Sequence, residues 1–347
     1  MLKVKKEGIV LEPTKLVFER RAVLNPTCFK KGDYVHMFYR AVRKNKVSCI
    51  GYCRLKGPLK VVERSKHPIL LPEFNYDKKG LEDPRITFID GTYYLFYTVY
   101  DGKNVRVAYA ISKDLKNFKK QSIITPDITY DEAENLFRHS RIEHGKLKDQ
   151  YFFFESYYKD RVAKDVLLWE KDIILFPEKI RGKYALLHRV LPEIQLIYFK
   201  DFKDLTLHYW KEYLKHLSKY IVIDSKFGYE SRNVGGGATP IKTKKGWLLI
   251  YHAVEDTDNG RIYRASAALL DKKNPLKQIG RLKVPLFSPE ERWEKKGAVD
   301  NVVFPTGTAI FGKRLYIYYG AADRRIAAAS VNLNELLSEL LKNKIRQ

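Results

Sequence analysis

The chain has 347 residues, 45% hydrophobic and 13% aromatic, enough for a large core and incompatible with long disorder. Lys+Arg number 65 against 41 Asp+Glu, a net charge of +24. The basic residues are scattered and form no arm, so the charge reads as a lysine-rich solvated surface or a site for a small anion before a nucleic-acid face.

The first residues, "MLKVKKEGIVLEP", lack the apolar centre of a signal peptide, and no apolar run reaches the length of a membrane span. From Asn25 onward one unit recurs five times: a proline, a glycine five to seven residues later, then an aromatic-rich strand. The copies are "NPTCFKKGDYVHMFYRAV", "DPRITFIDGTYYLFYTVY", "FPEKIRGKYALLHRV", "TPIKTKKGWLLIYHAV" and "FPTGTAIFGKRLYIYYGAAD". Their prolines are Pro26, Pro84, Pro177, Pro240 and Pro305; their glycines are Gly32, Gly91, Gly182, Gly246 and Gly312. Proline suits the start of a strand, where no ladder donor is lost, and glycine supplies a tight turn. A third strand-like run follows in four copies: "KVSCIGYCRL", "VRVAYAISKDL", "RIYRASAALLD" and "RIAAASVNL". A repeated four-stranded sheet predicts an all-β five-bladed β-propeller spanning residues 1–347 as one domain.

Between the second and third copies lies a polar stretch, "DITYDEAENLFRHSRIEHGKLKD", expected to insert a loop. "LTLHYWKEYLKHLSKY" reads as a helix or a distorted strand. The last segment carries a leucine stripe, Leu333, Leu336, Leu337, Leu340 and Leu341, which predicts a C-terminal helix over about 332–345 packed on the propeller. Cys28, Cys49 and Cys53 sit on strand-like segments with no metal-ligand spacing around them; free thiols in a reducing, cytoplasmic compartment are expected.

Inner-strand ends of a propeller converge on a central funnel, so corresponding positions belong together. Around the repeat prolines stand Asn25, Asp83 with Arg85, Glu178 with Lys179, Thr239 and Thr306. At the ends of the second strands stand Arg40, Thr98, Arg189, His252 and Tyr319. This polar, mostly cationic set suits an anionic or polyhydroxylated ligand. Asp83 is the best candidate for proton transfer, with Arg85 to position it and Glu82 as a like-charged neighbour. Cleavage of a glycoside by water needs two carboxylates, and the second is not obvious among Glu178, Glu230 and Asp323. Phosphate as nucleophile would remove that need, with Lys171, Arg189, Arg232 and His252 as cations for it. "NVGGGATP" offers backbone donors for an oxyanion but lacks the ending of a nucleotide P-loop.

Four segments resemble glycoside hydrolase family 130, the mannoside phosphorylases and related mannosidases: "GLEDPRITFIDGTYYLFYT", "KDIILFPEKIRGKYALLHR", "YESRNVGGGATPIKTKKGWLLIYHAV" and "VDNVVFPTGTAIFGKRLYIYYGAAD". They occur in the family's order and cover the chain from about Asn25 to the C-terminal helix. The resemblance implies inverting phosphorolysis of β-mannosides, a glycosyltransferase-type reaction releasing α-mannose 1-phosphate. It implies that Asp83 is the general acid, acting through the 3-hydroxyl of the mannosyl unit. By the same resemblance Arg189 and His252 match phosphate-binding positions, Lys171 falls where the family has a basic residue beside an amide, though Asp172 follows it here, and Asn25, Arg40 and Asp323 match positions that hold the mannosyl ring; Arg232 stays a phosphate-binding candidate. Glu82, Arg85 and Glu230 join the substrate-binding candidates. No metal or organic cofactor is implied; inorganic phosphate is the co-substrate, a mannose-containing oligosaccharide the partner, and neither nucleic acid nor membrane is expected. Oligomeric state stays open, as do the linkage, β-1,2 or β-1,4, and the acceptor. One departure stands out: after "ES" the family's phosphorylases carry a lysine two residues on, whereas this chain has Arg232 and then Asn233. The alternatives are a β-mannoside hydrolase of the same family and a non-catalytic sugar-binding propeller.

Overall fold

The computed structural model describes residues 2–145 and 147–345. Its strands form five antiparallel blades around a central axis. Blade 1 runs Ala22–Lys31, Tyr34–Val42, Ser48–Lys56 and Lys60–Arg64, and blade 2 runs Gly80–Ile89, Thr92–Tyr100, Val105–Ser112 and Lys119–Ile123. Blade 3 runs Glu170–Leu175, Tyr184–Val190, Ile194–Phe199 and Ile221–Ile223. Blade 4 has a broken inner strand, Asn233–Gly236 and Ile241–Lys242, then Trp247–Thr257, Gly260–Leu270 and Gln278–Arg281. Blade 5 runs Val303–Phe311, Arg314–Ala321 and Arg325–Asn332, and its outer strand is the chain's first, Lys5–Leu11.

All five turn glycines fall between the inner two strands of a blade, as the repeat predicts. In blade 3 the turn is made by Arg181 and Gly182, both at positive φ (53° and 76°), closing the Ile180–Lys183 bridge. The third strand of that blade, "IQLIYF", lacks the aromatic-glycine signature of the others and was not anticipated. Apolar side chains of adjacent blades interlock into the core. One cluster joins blades 4 and 5 through Leu248, Ile250, Ile317 and Tyr319, and another joins blades 3 and 4 through Leu187, Leu196, Leu249 and Trp247.

Among the described residues five α-helices decorate this ring: α1 (Tyr130–His144), α2 (Gln150–Arg161), α3 (Leu207–Lys215), the short α4 (Arg292–Lys295) and α5 (Leu333–Lys342). The expected loop between blades 2 and 3 is the helical pair α1–α2 instead. Thr129 caps α1: its hydroxyl accepts from the Glu132 amide and the Glu132 carboxylate accepts from the Thr129 amide, while Gly145 ends the helix at φ 65°. Tyr130, Ala133 and Phe137 of α1 and Tyr151 and Phe154 of α2 bury against Trp210, Tyr213 and Leu214 of α3 and against blades 2 and 3. The ambiguous segment around Leu205–Tyr220 thus holds a true helix. The C-terminal helix begins one residue later than expected, with the Asn332 side chain accepting from the amides of Asn334 and Glu335. Leu336 and Leu340 are its fully buried contacts with blades 4 and 5. Among the described residues no helix is long and apolar enough to cross a membrane.

Candidate active site

The inner strands do not pair smoothly. Register breaks lie between Leu24 and Thr27, Glu82 and Arg85, Lys171 and Ile174, and Pro305 and Gly307. Each is a bulge that re-aims a side chain toward the axis. Asn25, Asp83 and Asp172 occupy equivalent bulges with φ of 49°, 49° and 55°. Left-handed backbone is costly for most residues, and Asn and Asp tolerate it best. Asp323, at φ 49° in the turn after Ala321, faces the same space. Across the strands stand Arg40 opposite Leu24 and Arg189 opposite Lys171, beside breaks, and in blade 4, where Asn233–Gly236 pairs in continuous register, His252 opposite Gly235. Together they line a pocket of about 460 Å³.

One part of the pocket is acidic. Asn25 Nδ2 donates to Asp83 Oδ1 (2.8 Å), and Arg40 Nη1 lies 3.6 Å from the same oxygen. Arg40 also pairs with Glu82 and donates to Ser48 Oγ (3.0 Å). The Asp323 carboxyl is pushed up to about 6: burial raises it, Arg40 opposes, and the charges of Asp83 and Glu82 add to the rise.

Beside it sits a buried ionic knot centred on Asp172. Arg189 Nε donates to Asp172 Oδ2 (2.6 Å), Arg85 Nη2 lies 3.6 Å from Oδ1, and His252 Nε2 lies 3.8 Å from Oδ2. Burial works against the Asp172 charge, but Arg189 first, then His252 and Arg85, hold the carboxyl at about 2. His252 goes the other way. Burial pushes it down to about 4; Asp172 opposes this, and Arg189 and Arg85 reinforce it. At neutral pH it is a neutral imidazole, its ring 4.3 Å from that of Phe304 and tilted by 33°, with a buried Nδ1 that has no hydrogen-bond partner among the described residues. The expectation of a fourth cation is corrected: His252 is a hydrogen-bonding group.

The remaining walls are cationic and aromatic. The Lys171 ammonium lies over the Trp169 ring (5.1 Å) with no acid within 4 Å among the described residues. Arg232 pairs with Asp256 (2.9 Å) and lies over Phe154 (5.1 Å). Helix α2 closes this side with Tyr157, Tyr158 and Arg161, and Arg261, Tyr263 and Asn233 complete it.

The chain as a whole is similar to known proteins. The family model described as beta-1,4-mannooligosaccharide phosphorylase, that of glycoside hydrolase family 130, matches residues 4–174 and 158–342. The chain belongs to glycoside hydrolase family 130. A 1,2-beta-oligomannan phosphorylase of Thermoanaerobacter sp. (strain X514) is 32% identical over 349 residues, covering 97% of this chain and 99% of that protein. A beta-1,2-mannobiose phosphorylase of the same strain is 34% identical over 340 residues, covering 93% and 94%. The structure of a beta-1,2-mannobiose phosphorylase from Listeria innocua, bound to beta-1,2-mannobiose, shares the fold: TM-score 0.73 at 23% identity, covering 98% of this chain and 99% of that one.

Against the family resemblance, most predicted site residues meet in one pocket: Asn25, Arg40, Asp83, Lys171, Arg189, Arg232, His252 and Asp323. Three do not line it. Glu230 is fully buried elsewhere, ion-paired with Arg281 (2.6 Å), accepting from Tyr251 Oη (2.8 Å) and from the amides of Lys226 and Phe227. It anchors the turn Gly228–Glu230 instead of facing a ligand. Arg85 lies beneath the pocket; it donates to the carbonyls of Asp83, Pro84 and Gly236 and faces the Asp172 carboxylate, so it does not orient that of Asp83. Glu82 is turned to Arg40. Of the other funnel candidates, Glu178 pairs with Lys242 and Lys179 with Asp90 on the surface. Thr239 and Thr306 donate to the carbonyls of Ile86 and Pro26, stitching blades together. Tyr319 bonds Glu294, and Thr98 is buried outside the pocket. The glycine triplet forms no oxyanion loop. Asn233–Gly236 pairs with the next strand, and the Gly237 amide donates to Ile250 O. A Cβ on Gly235 would sit 2.3 Å from the His252 ring and 2.5 Å from Asp172 Oδ2, so glycine is there for close approach.

The unforeseen members are Asp172, Trp169, Tyr157, Tyr158, Arg161, Arg261, Tyr263 and Phe304. Asp172 carried a signal: it is the blade-3 counterpart of Asn25 and Asp83, five residues before the proline that marked its repeat.

Proposed function

We propose that this chain is an inverting β-mannoside phosphorylase, with Asp83 as general acid and inorganic phosphate as nucleophile. The observation that carries the reading is the unequal division of the pocket. Asp83, bonded to Asn25 and beside Arg40, stands with Asp323 on one side, and the wall around Asp172 gathers Lys171, Arg189 and Arg232 with the neutral His252. A hydrolase would need a further carboxylate to activate water. Glu178 and Glu230 lie outside the pocket, Asp172 is committed to Arg189, and Asp323 shares the surroundings of Asp83 and Arg40.

In the proposed reaction the mannosyl unit rests on Asn25, Arg40 and Asp323. Phosphate is held by charge-assisted bonds from Arg189, Lys171 and Arg232 and by the neutral His252. A phosphate oxygen attacks the anomeric carbon from the face opposite the leaving group. The bond from that carbon to the glycosidic oxygen breaks, and Asp83 supplies its proton by way of the 3-hydroxyl. α-Mannose 1-phosphate and a shortened acceptor result, and the anomeric centre is inverted once. Arg232 takes the place of the family's usual lysine, its guanidinium steadied by Asp256 and Phe154. A β-1,2 linkage is the reading favoured by the two relatives matched over nearly their whole length.

The test is incubation with β-1,2- and β-1,4-mannobiose, with and without phosphate, and identification of products. Mannose 1-phosphate formed only with phosphate, faster from the β-1,2 substrate, is expected. Equal cleavage without phosphate, releasing free mannose, would establish hydrolysis and turn attention to Asp323 as the water-activating base. No turnover of any mannoside would leave a sugar-binding propeller.

A further inference from the structure

Outside the pocket, the ends of two helices bring three metal-binding side chains to one point. Glu143 and His144 are the last two residues of α1, and His216 is the residue that caps the C-terminus of α3. His144 Nε2 lies 3.0 Å from His216 Nδ1. Glu143 Oε2 lies 3.2 Å from His144 Nε2 and 2.9 Å from His216 Nδ1. We propose that Glu143, His144 and His216 bind a divalent cation of the zinc type, clasping the α1–α2 insert to α3.

The shape fits. Zinc bonds to imidazole nitrogen and carboxylate oxygen at roughly 2.0–2.2 Å, so two ligand atoms of a tetrahedral site stand about 3.3 Å apart. The three atoms here form a nearly equilateral triangle just inside that size, one face of a tetrahedron. Hydrogen bonding alone leaves the triangle unsatisfied. A neutral imidazole nitrogen either donates or accepts. If both nitrogens donate to Glu143, their protons face each other across 3.0 Å. If one accepts from the other, its own contact with the carboxylate joins two lone pairs. A single cation takes all three lone pairs at once.

The surroundings favour positive charge. Two helix C-termini, each carrying partial negative charge, end at this point. Among the described residues Arg141 is engaged with Asp149 (2.7 Å), Lys215 with Glu212 (2.6 Å) and Lys148 with Glu193 (3.2 Å), while Lys219 lines the cavity beside His144. Two imidazoles and one carboxylate are a borderline donor set that suits zinc, cobalt or nickel and not calcium or magnesium. His144 is mostly buried while Glu143 and His216 reach solvent, which leaves the fourth position to water. His139 stands next in line, its Nδ1 3.6 Å from Glu143 Oε2. Since α1 leads directly into α2, a cation here would also hold the helix that presents Tyr157, Tyr158 and Arg161 to the pocket.

The experiment uses the full chain stripped of metal by a chelator, titrated with Zn2+ in a calorimeter and with Co2+ in a visible spectrometer. One equivalent should bind, with the intense absorption of low-symmetry cobalt, and Zn2+ should raise the melting temperature. His144→Ala and His216→Ala should each weaken binding by about a hundredfold or more, as expected for loss of a direct ligand when outer partners alone cost 10–100-fold. Glu143→Gln, nearly isosteric and on the surface, should abolish the thermal shift without disturbing the fold. His67→Ala, at an exposed histidine elsewhere, should change nothing. Absence of saturable one-to-one binding overturns the proposal. So does binding that survives in the His144→Ala/His216→Ala double variant, which would reduce the triangle to a hydrogen-bonded cluster.

Discussion

Replacing Asp172 by asparagine keeps the shape of the side chain and removes the negative centre of the buried knot. The carboxyl stands at about 2 in the folded chain, against an ordinary value near 3.9, a gap of nearly two units. Each unit is worth about 1.4 kcal/mol, so ionised Asp172 contributes roughly 2.5 kcal/mol of stability. Because the folded value is depressed, that contribution is complete above the ordinary carboxylate range and is lost as pH falls toward about 2. The substitution also strands Arg85, which is 1% exposed and whose guanidinium burial already pushes down. Breaking a buried ion pair from one side typically costs about 3–5 kcal/mol, and the geometry here argues for roughly 3–4. For a chain of 347 residues that is a fall of roughly 4–6 °C in melting temperature. Differential scanning calorimetry at neutral pH reads it directly. Phosphate adds a second, sharper readout. An anion at Arg189 replaces part of the missing charge, so saturating phosphate should raise the variant's melting temperature more than the wild type's. A variant melting within about 2 °C of wild type, or gaining no more from phosphate, would refute the view of Asp172 as counter-charge to the cationic wall.

Asp83→Asn should preserve the melting temperature within a few degrees, since its carboxylate bonds only Asn25 and Arg40 and is partly solvated, yet cut phosphorolysis by about a hundredfold or more; near-normal turnover would move the proton to another residue. Asp323→Asn should change the pH dependence of stability. With its folded value raised to about 6, wild type is most favoured below the ordinary carboxylate range and loses stability as pH rises through about 6. The variant should therefore gain on wild type between pH 4 and 8, by about 3 kcal/mol, in paired denaturant titrations; parallel curves would show that the carboxyl is not desolvated. Burial pushes Cys28 up and Cys49 and Cys53 to about 12, so none should react with a disulfide reagent at pH 8 until the chain is unfolded. Rapid labelling of the native protein would contradict the burial of these strands.

The ring was legible because its grammar is local. A turn glycine followed by an aromatic strand needs only neighbours in sequence, so the inner hairpin of each blade could be found. The bulges were less visible. In blades 1 and 2 a proline follows the bulged residue and marks it, whereas in blade 3 the bulge is Asp172–Ile173 and Pro177 lies beyond the end of the strand, in the connection to the turn. Reading from that proline selected Glu178 and passed over Asp172. The insert was masked by its polarity, though Thr129–Tyr130–Asp131–Glu132 is a capping box and Tyr130, Ala133 and Phe137 fall on one helical face. Nothing in the sequence could have joined Arg161, Arg261 and Trp169. They come from a helix, a blade-4 strand and a blade-3 edge, and only the closed ring brings them to one wall. The misplaced Glu230 shows the converse: a charged residue inside a matching motif can be spent wholly on holding a turn.

The fifth blade is completed by the chain's own beginning: Lys5 pairs with Ser330 and Ile9 with Ala327. For a protein emerging from the ribosome this imposes an order of events. The first strand leaves early and has no partner until Arg325–Asn332 has been made, so the ring stays open while nearly all of the chain is synthesised. During that interval two sheet edges are bare and vulnerable to pairing with another molecule. The charges of Lys5, Lys6 and Glu7 along that waiting strand suit it to remain solvated, and once it docks the two ends of the chain hold each other, so that neither can fray without opening the circle around the pocket.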